Sequence, residues 1–481
     1  MKTIWETIIG LEIHAQLNTK TKLFSPAPNQ FGNEPNENIS VICTGQPGSL
    51  PLLNEEALYK AVLFGLAVGA SVEPCSFDRK SYFYPDTPKN FQITQFFHPI
   101  LKGGRVPINI QGRTKEVTIQ SAHLEEDAGS LRHFSKFSGV DDNRAGCALL
   151  EIVSDSCLRS PEEAVLYAKA VRAILQYTDV SRGNMEQGHL RVDANISVRP
   201  LGETTLRNKV EIKNMASFEA LRKAIEQEKE RQIQIYEANP AASIPSSTCR
   251  FDPTTQTLSV MREKESSGDY RYMPEPDIPP VSIPEEVISR LKKELPELPE
   301  KRRKRYQKEL GLSEEASLLL TTDKHLSDYF EQVLPHCNSP KLACNWITIE
   351  FAGRLKEEGK TLLTADIAPQ HVGQLIDLIE RNVITARMAK SLADEMVQNP
   401  QKSPEKLVEG NPDYAPVANA STLDPIIEEV VASHPQSIAD FRKGKTKAFS
   451  FLVGQVMKQT KGKADPATVN LLLHKKLDCK P

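Results

Sequence analysis

The sequence predicts an α+β protein in which a strand-rich domain precedes a helical domain and a small basic tail. Strictly alternating apolar and polar residues, typical of half-buried strands, are concentrated in the first half of the chain. Beyond a proline-dense segment at 269–280, which cannot remain helical, apolar residues recur only at helical spacing. We place the domain boundaries at 1–290, 291–400 and 401–481.

Composition narrows the protein class. The 481 residues are 39% hydrophobic and 26% charged, as in soluble globular proteins, and suffice for several domains. A net charge of −3 gives the whole molecule no electrostatic preference for a partner. The eight cysteines include no C-x-x-C pair, which indicates a reducing compartment. Since no targeting segment or long apolar span is visible, we expect a cytoplasmic protein that does not bind membranes.

The first strand is predicted at 8–17, IIGLEIHAQL. Its polar face carries Glu12 and His14 side by side. A carboxylate and an imidazole so placed can form half of a metal site. A solvated strand face is the alternative.

An acidic centre follows at 123–155. HLEEDAGS places Glu125 and Glu126 after a histidine, and ALLEIVSD places Glu151 inside an apolar run. A glutamate buried in a strand requires a positive partner. That partner is either a divalent cation bound by oxygen ligands or an ordinary lysine or arginine.

Further polar groups flank this centre. Lys80 and Lys89 bracket two tyrosines in a proline-stiffened loop, where they either clamp phosphate or carboxylate groups or lie over the aromatic rings. The next two predicted strands, at 190–199 and 209–213, have polar faces that carry Arg191, Asp193, Glu211 and Lys213. Four such faces favour a sheet floor that holds metal ions and a polyphosphate.

No P-loop or dinucleotide-binding glycine motif follows any strand, so bound ATP would occupy another kind of site. In the helical half we predict single helices at 314–334 and 341–358. From Arg442 to Lys480 there are ten basic and two acidic residues. This tail is either a phosphate-backbone binder or a docked helical hairpin with a solvated basic face.

Several long motifs together resemble one family, the B subunits of the aspartyl/glutamyl-tRNA amidotransferases. They occur in the family's order along essentially the whole chain: GLEIHAQLNTKTKLFS, FDRKSYFYPDTPKNFQITQ, HLEEDAGS, LLEIVSD, MEQGHLRVDANISVRP, DYRYMPEPDIPP and FLVGQVMKQTKGKADP. Runs of this length are far more specific than any short motif.

The resemblance implies an antiparallel-sheet cradle domain, followed by an all-α helical domain and a small helical tail domain. It implies a heterotrimer with an amidase subunit (A), which releases ammonia from glutamine, and a small subunit (C). With ATP and Mg²⁺, the B subunit would phosphorylate the side-chain carboxylate of misacylated Glu-tRNA(Gln) or Asp-tRNA(Asn). Ammonia from the amidase would then displace the phosphate.

Matching the motifs residue by residue gives a candidate site. The implied metal ligands are Glu12, His14, Glu125, Glu151 and Glu211, with Glu126 beside them. Glu125, Glu126, Lys80 and Lys89 are the candidate catalytic residues, and Arg191, Asp193 and Lys213 the candidate ATP-binding residues. The chain departs from the family pattern at Phe91, Ser156, Cys157 and Ala216, none of them a proposed ligand.

Two other functions are consistent with these residues. The first is a non-catalytic tRNA-binding scaffold whose acids only neutralise basic strands. The second is a free-standing metal-dependent carboxylate–amine ligase for small molecules. The basic tail argues against it, because a small substrate needs no such surface. No nucleophile set for glutamine hydrolysis stands out, as expected of a chain that receives ammonia from a partner.

Overall fold

A computed structural model describes residues 3–215, 217–252, 254–263, 269–411, 414, 420–442, 445–460, 464 and 466–478. The chain divides into two compact units, with the division after Arg302. The first unit is mixed α+β and the second is helical, as the sequence predicts. The division lies twelve residues beyond the predicted end of the first domain at 290, and the further division near 400 stays a prediction.

The elements of the first unit, in chain order, are β1 (Trp5–Gln16), α1 (Glu55–Val68), β2 (Ser71–Val72), β3 (Asp78–Ser81), β4 (Phe91–Thr94), β5 (Leu101–Lys102), β6 (Arg105–Ile110), β7 (Arg113–Glu126), β8 (Ser130–His133), β9 (Ser138–Asp141), β10 (Ala148–Ser154), α2 (Pro161–Tyr177), β11 (Leu190–Pro200), β12 (Val210–Met215), α3 (Phe218–Ala238), β13 (Ser247–Asp252), β14 (Thr257–Glu263), β15 (Met273–Pro274) and α4 (Glu285–Glu294).

The large sheet has the order β14-β13-β12-β11-β1-β10-β7-β5-β2, and β6 also pairs with β7. The first strand of the chain is therefore central, between β10 and β11. Two smaller sheets, β15-β3-β4 and β8-β9, flank it. Helix α2 packs against β1, and α3 packs against both α2 and β11.

The prediction of a wholly antiparallel sheet is wrong at one pair of strands. Strands β12 and β13 run parallel, with Glu211 opposite Thr248. The reason is the long helix α3, which lies between them in the chain and carries the backbone across the sheet before β13 begins. The sheet is therefore mixed, although the other pairs in it are antiparallel.

Alternation along β1 sorts its side chains as predicted. Ile9, Leu11 and Ile13 are fully buried in the main core, which includes residues of α1, α2 and α3. Glu12 and His14 lie on the opposite face of the strand. Burial of the apolar face thus fixes the side on which the polar groups of β1 are presented.

The remaining elements are α5 (Pro299–Glu309), α6 (Glu314–Thr321), α7 (Lys324–Val333), a 3₁₀ turn (Leu334–His336), α8 (Pro340–Asn345), a π-helical turn (Trp346–Phe351), α9 (Ala352–Glu357), α10 (Pro369–Glu380), α11 (Ala386–Gln398), α12 (Pro404–Glu409), α13 (Ala420–Ser433), α14 (Pro435–Arg442), α15 (Thr446–Gln459) and α16 (Pro466–Asp478).

The helices predicted at 314–334 and 341–358 are each divided. Asp323 ends the first one early, because its carboxylate accepts the backbone N–H groups of His325 and Leu326 and so caps a new helix, α7. In the second, the π-helical turn interrupts the α-helical pattern. One apolar cluster spans Tyr306 to Tyr414, and a smaller one spans Leu423 to Leu477.

Part of the basic tail (443, 444, 461–463, 465 and 479–481) lies outside the described residues. Among the helices in the described ranges, none is both long enough and apolar enough to cross a membrane.

Candidate active site

The polar faces of four neighbouring strands meet on one side of the large sheet. His14 on β1 lies opposite Glu151 on β10 and opposite Arg191 on β11. On the next strand, His123 of β7 lies opposite Glu151. Strand pairing thus aligns four ionisable side chains from distant parts of the sequence in a single row across the sheet.

This face is the floor of an open cleft of about 690 Å³. A cleft of this size is typical of small-ligand sites. Most of the predicted site residues line it: Glu12, His14, Lys80, Glu125, Glu151, Arg191, Asp193, Glu211 and Lys213. Lys89 and Glu126 do not; they line a smaller adjoining recess of about 150 Å³.

Three predicted metal ligands form a compact group within the cleft. One ligand atom from each of His14, Glu125 and Glu151 lies within 4.8 Å of the other two. His14 Nδ1 is 3.1 Å from Glu125 Oε1 and 3.8 Å from Glu151 Oε2. Carboxylate oxygens are the ligands that Mg²⁺ prefers, and an imidazole nitrogen also suits Mn²⁺ or Zn²⁺. The residues present therefore fit a divalent cation.

The charges of this group depend on one another. Burial would by itself lower the pKa of His14, but the neighbouring charges of Glu151 and Glu125 raise it to about 9. Burial would likewise raise the pKa of Glu151, but the charges of His123 and His14 hold it below its usual range. A cation that entered the group would replace a proton on His14, since a ligating imidazole nitrogen must be unprotonated.

His123 belongs to the site although the sequence analysis did not include it among the candidates. Its Nε2 lies 3.3 Å from Glu151 Oε2, on the side of Glu151 away from His14. The neighbouring Glu151 charge raises its pKa against the effect of burial. The sequence could have predicted its place, because His123 and Glu125 are two residues apart on one strand and so share a face.

Glu12 and Glu211 line the cleft but fall outside the compact group. Glu12 accepts a hydrogen bond from Asn195 at 2.7 Å, and Glu211 accepts one from Thr248 at 3.1 Å. Burial, and the nearby charges of Glu151 and Glu211, raise the pKa of Glu12. Their assignment as metal ligands stays a prediction.

Asp193 and Lys213 link His14 of the compact group to Glu211. Asp193 Oδ2 is 3.2 Å from Lys213 Nζ and 3.9 Å from His14 Nε2. Lys213 is also 3.5 Å from Glu211. Although burial lowers the pKa of Lys213, the charges of Asp193 and Glu211 raise it well above its usual range. Lys213 is thus a permanent cation on the cleft floor.

Arg191 is held by Asp127, which follows Glu125 and Glu126 in the acidic run HLEEDAGS but was not among the candidate site residues. The Arg191 guanidinium donates to Asp127 Oδ1 at 2.9 Å, and Arg144 approaches the other carboxylate oxygen at 3.3 Å. Burial opposes the charge of Arg191, but Asp127 raises its pKa. Asp127 therefore fixes the position of the arginine on the cleft floor.

Lys80, which lies on β3, lines both the cleft and the adjoining recess, whereas Lys89 lines only the recess. Lys89 forms an ion pair with Glu126, which also accepts the backbone N–H of Ile93 at 2.9 Å. Lys80 reaches the cleft and lies 4.6 Å above the ring of Tyr270. The aromatic contacts foreseen for these lysines are present, since Lys89 lies 5.2 Å from the ring centroid of Phe91.

A buried lysine supports this region from beneath. Lys22 is fully buried, and its ammonium donates to the backbone carbonyls of Ala145 and Asp142 at 2.6 and 3.2 Å. The turn that contains these carbonyls is joined to Asp127, whose carbonyl accepts the N–H of Gly146 at 2.9 Å. Lys22 therefore stabilises the turn that fixes Asp127.

We expect Lys22→Met to lower the free energy of unfolding of the full chain by about 2 kcal/mol, because two carbonyls lose their charged donor. Calorimetric melting would show the loss. Lys20→Met, an exposed change two residues away, is the control and should leave the melting temperature unchanged. Equal melting temperatures for both variants would contradict this role of Lys22.

Three of the four departures from the family pattern are among the described residues, and none of these three lines the cleft. Phe91 begins β4, and the Arg79 guanidinium lies 4.4 Å from its ring centroid. Cys157 accepts a hydrogen bond from Lys115 through its carbonyl at 2.8 Å, and Ser156 lies against the backbone near Gly10. Ala216 lies outside the described residues.

Comparison with known proteins identifies the family. Residues 7–289, which contain every residue of the cleft, match the family model described as GatB/GatE catalytic domain, and residues 328–477 match the GatB domain. The aspartyl/glutamyl-tRNA(Asn/Gln) amidotransferase B subunit of Protochlamydia amoebophila (strain UWE25) is 53% identical over 98% of this chain and 97% of its own length. The chain belongs to this family.

Proteins of the same name from Chlamydia pneumoniae and Chlamydia caviae are each 50% identical over 98% of both chains. The resemblance found in the sequence motifs is therefore confirmed. As a member of the amidotransferase B family, the chain is one component of a multi-subunit, tRNA-dependent amidotransferase.

Proposed function

We propose that the cleft catalyses the ATP-dependent phosphorylation of the side-chain carboxylate of Glu-tRNA(Gln), Asp-tRNA(Asn) or both. Ammonia would then attack the acyl phosphate, release phosphate and leave the amide on the tRNA. The observation that carries the proposal is the compact group of His14, Glu125 and Glu151 on a cleft floor that also presents Arg191 and Lys213.

The chemistry requires both signs of charge. A carboxylate reacts poorly with ammonia until phosphorylation provides a good leaving group. Its attack on the γ-phosphate of ATP brings two anions together, and their repulsion must be offset. Mg²⁺, when bound, would supply positive charge that offsets part of this repulsion.

The residues of the chain divide this work. His14, Glu125 and Glu151 would hold the cation, with His123 orienting Glu151. Arg191, fixed by Asp127, and Lys213, fixed by Asp193, would bind phosphate oxygens.

Two lysines complete the proposed site. Lys80, at the cleft wall, would bind the attacking carboxylate or the transferred phosphoryl group. Lys89, paired with Glu126 in the adjoining recess, would help to bind the phosphates or the activated carboxylate.

The partners follow from the family. We propose that the chain assembles with an amidase subunit, which supplies ammonia through an internal path, and with a small third subunit. The helical part and the basic tail would hold the tRNA body by its shape and phosphate backbone. Since charged tRNA is used in translation, we assign the complex to the cytoplasm.

The test is ATP turnover by the chain co-expressed with its partner subunits in Mg²⁺, with and without Glu-tRNA(Gln). We expect phosphate release only when the charged tRNA is present, because its carboxylate is the phosphoryl acceptor. Chelation of divalent ions should abolish the release, and added Mg²⁺ should restore it. Turnover that is absent, or indifferent to the charged tRNA, would favour the non-catalytic tRNA-binding scaffold instead.

A further inference from the structure

Six aromatic rings form a continuous row beside the cleft. In spatial order the rings of this aromatic row are Tyr84, Tyr82, Tyr270, Tyr272, Phe96 and Phe97. Successive ring centroids lie 5.7, 6.4, 6.0, 3.9 and 5.0 Å apart. The Tyr272–Phe96 pair is stacked almost in parallel, with 10° between the planes.

The small sheet β15-β3-β4 carries the row along one wall of the cleft. Its rings directly follow β3 and β4 or precede β15. Tyr270 lines both the cleft and the adjoining recess, and Tyr82 lines the recess. The row therefore meets the reaction site at one of its inner rings, Tyr270, and extends from there in two arms, to Tyr84 and to Phe97.

The ends of the row are open to solvent. Tyr84 is 51% exposed, Phe96 46% and Phe97 51%. Buried aromatic side chains stabilise a core, whereas several exposed rings in sequence form a surface suited to planar ligands. The exposed outer rings therefore contribute little to the packing of the small sheet.

Cations lie on or beside the row, and one acid next to the small sheet, Glu275, is already paired. Lys80 lies over the Tyr270 ring, and Arg271 lies 5.3 Å from the centroid of Phe83, which is itself 65% exposed. Glu275 is bound by Arg79, which donates to both carboxylate oxygens, at 2.7 and 2.9 Å. This arrangement of rings and cations is typical of surfaces that bind single-stranded nucleic acid.

We propose that the aromatic row stacks the bases of the single-stranded 3′ end of the substrate tRNA and so directs its aminoacylated terminal ribose into the cleft. This inference rests on the proposed function and adds to it the contact that positions the substrate. A strand of several nucleotides can follow an arm of the row to Tyr270 at the cleft, whereas the single adenine of ATP would occupy only one place in it.

The test uses the assembled complex and uncharged tRNA(Gln) in which 2-aminopurine replaces the terminal adenosine. Fluorescence of 2-aminopurine falls when the base stacks. At a concentration of complex that half-saturates the wild type, we expect strong quenching with the wild-type complex. The double variant Tyr84→Leu/Phe97→Leu should give at most half of that quenching, because the bases before the terminal one lose their stacking partners and less tRNA is bound. In turnover, the same variant should raise the KM for charged tRNA roughly tenfold, with kcat and the KM for ATP unchanged.

The matched control is Tyr84→Phe/Phe97→Tyr, which keeps both rings and should retain wild-type quenching and KM. Equal quenching in the leucine variant would overturn the proposal, as would an increase in the KM for ATP instead of that for tRNA. Because the quenching experiment needs no turnover, it is independent of the phosphorylation chemistry. Absence of turnover in the wild-type complex would instead overturn the proposed function.

Discussion

Glu151→Gln should reduce charged-tRNA-dependent ATP turnover about 100-fold or more, the usual effect of removing one charged group from a preorganised site. Glu151 lies between His14 and His123 and is one of the three members of the compact ligand group. Glutamine keeps the shape of the side chain but removes the charge that attracts the cation. Initial rates of phosphate release would measure the loss of turnover. Titration calorimetry with Mg²⁺ or Mn²⁺ would measure the weakened binding of the cation.

Glu6→Gln is the matched control for Glu151→Gln. Glu6 is a carboxylate on the same central strand as His14, but it pairs with Arg159 and Arg199 at 3.1 and 2.7 Å, outside the cleft. The control should retain turnover, whatever its effect on stability. If the folded Glu151→Gln complex turned over ATP at the wild-type rate, the acidic group would be structural and the scaffold function would be preferred.

Lys213→Met should lower kcat and raise the KM for ATP, with a combined loss in kcat/KM of about 100-fold. Lys213 stands on the cleft floor and is held charged by Asp193 and Glu211. Its removal takes a positive charge away from beside Asp193 and Glu211, so the electrostatic repulsion between these carboxylates and the incoming phosphates rises. Steady-state kinetics over a range of ATP concentrations would separate the two parameters.

Two variants accompany that experiment. Lys213→Arg keeps the charge with another geometry and should recover part of the activity. Lys223→Met removes a lysine from the surface of helix α3, where it faces Glu219, and should have no effect. If the KM for ATP were unchanged in the Lys213→Met complex, Lys213 would not be a phosphate-binding residue.

The period of two along the strands predicts much of the site. It places Glu12 and His14 on one face of β1, and Glu211 and Lys213 on one face of β12, because burial of the alternate apolar residues leaves no other choice. It does not determine which strands are neighbours. The row of His123, Glu151, His14 and Arg191 exists only through pairing between distant segments.

Groups outside the strand pattern were harder to predict. Asp127 follows the end of β7, and Tyr270 reaches the cleft from a segment that pairs with a different sheet. Neither position has a periodic signal. The parallel pairing of β12 and β13 was missed for a related reason, since a helix between two strands permits but does not require a crossover within one sheet.

The central position of β1 has a consequence for how the chain folds. Strand β1 leaves the ribosome long before its two neighbours, because about 130 residues separate it from β10 and β11 comes later still. Until then both of its edges expose unpaired backbone groups, which are prone to association with other chains. Such long sequence separation slows folding. Nascent chains that stop before β11 would therefore depend on chaperones, and the ligand group becomes complete only when the central pairing closes.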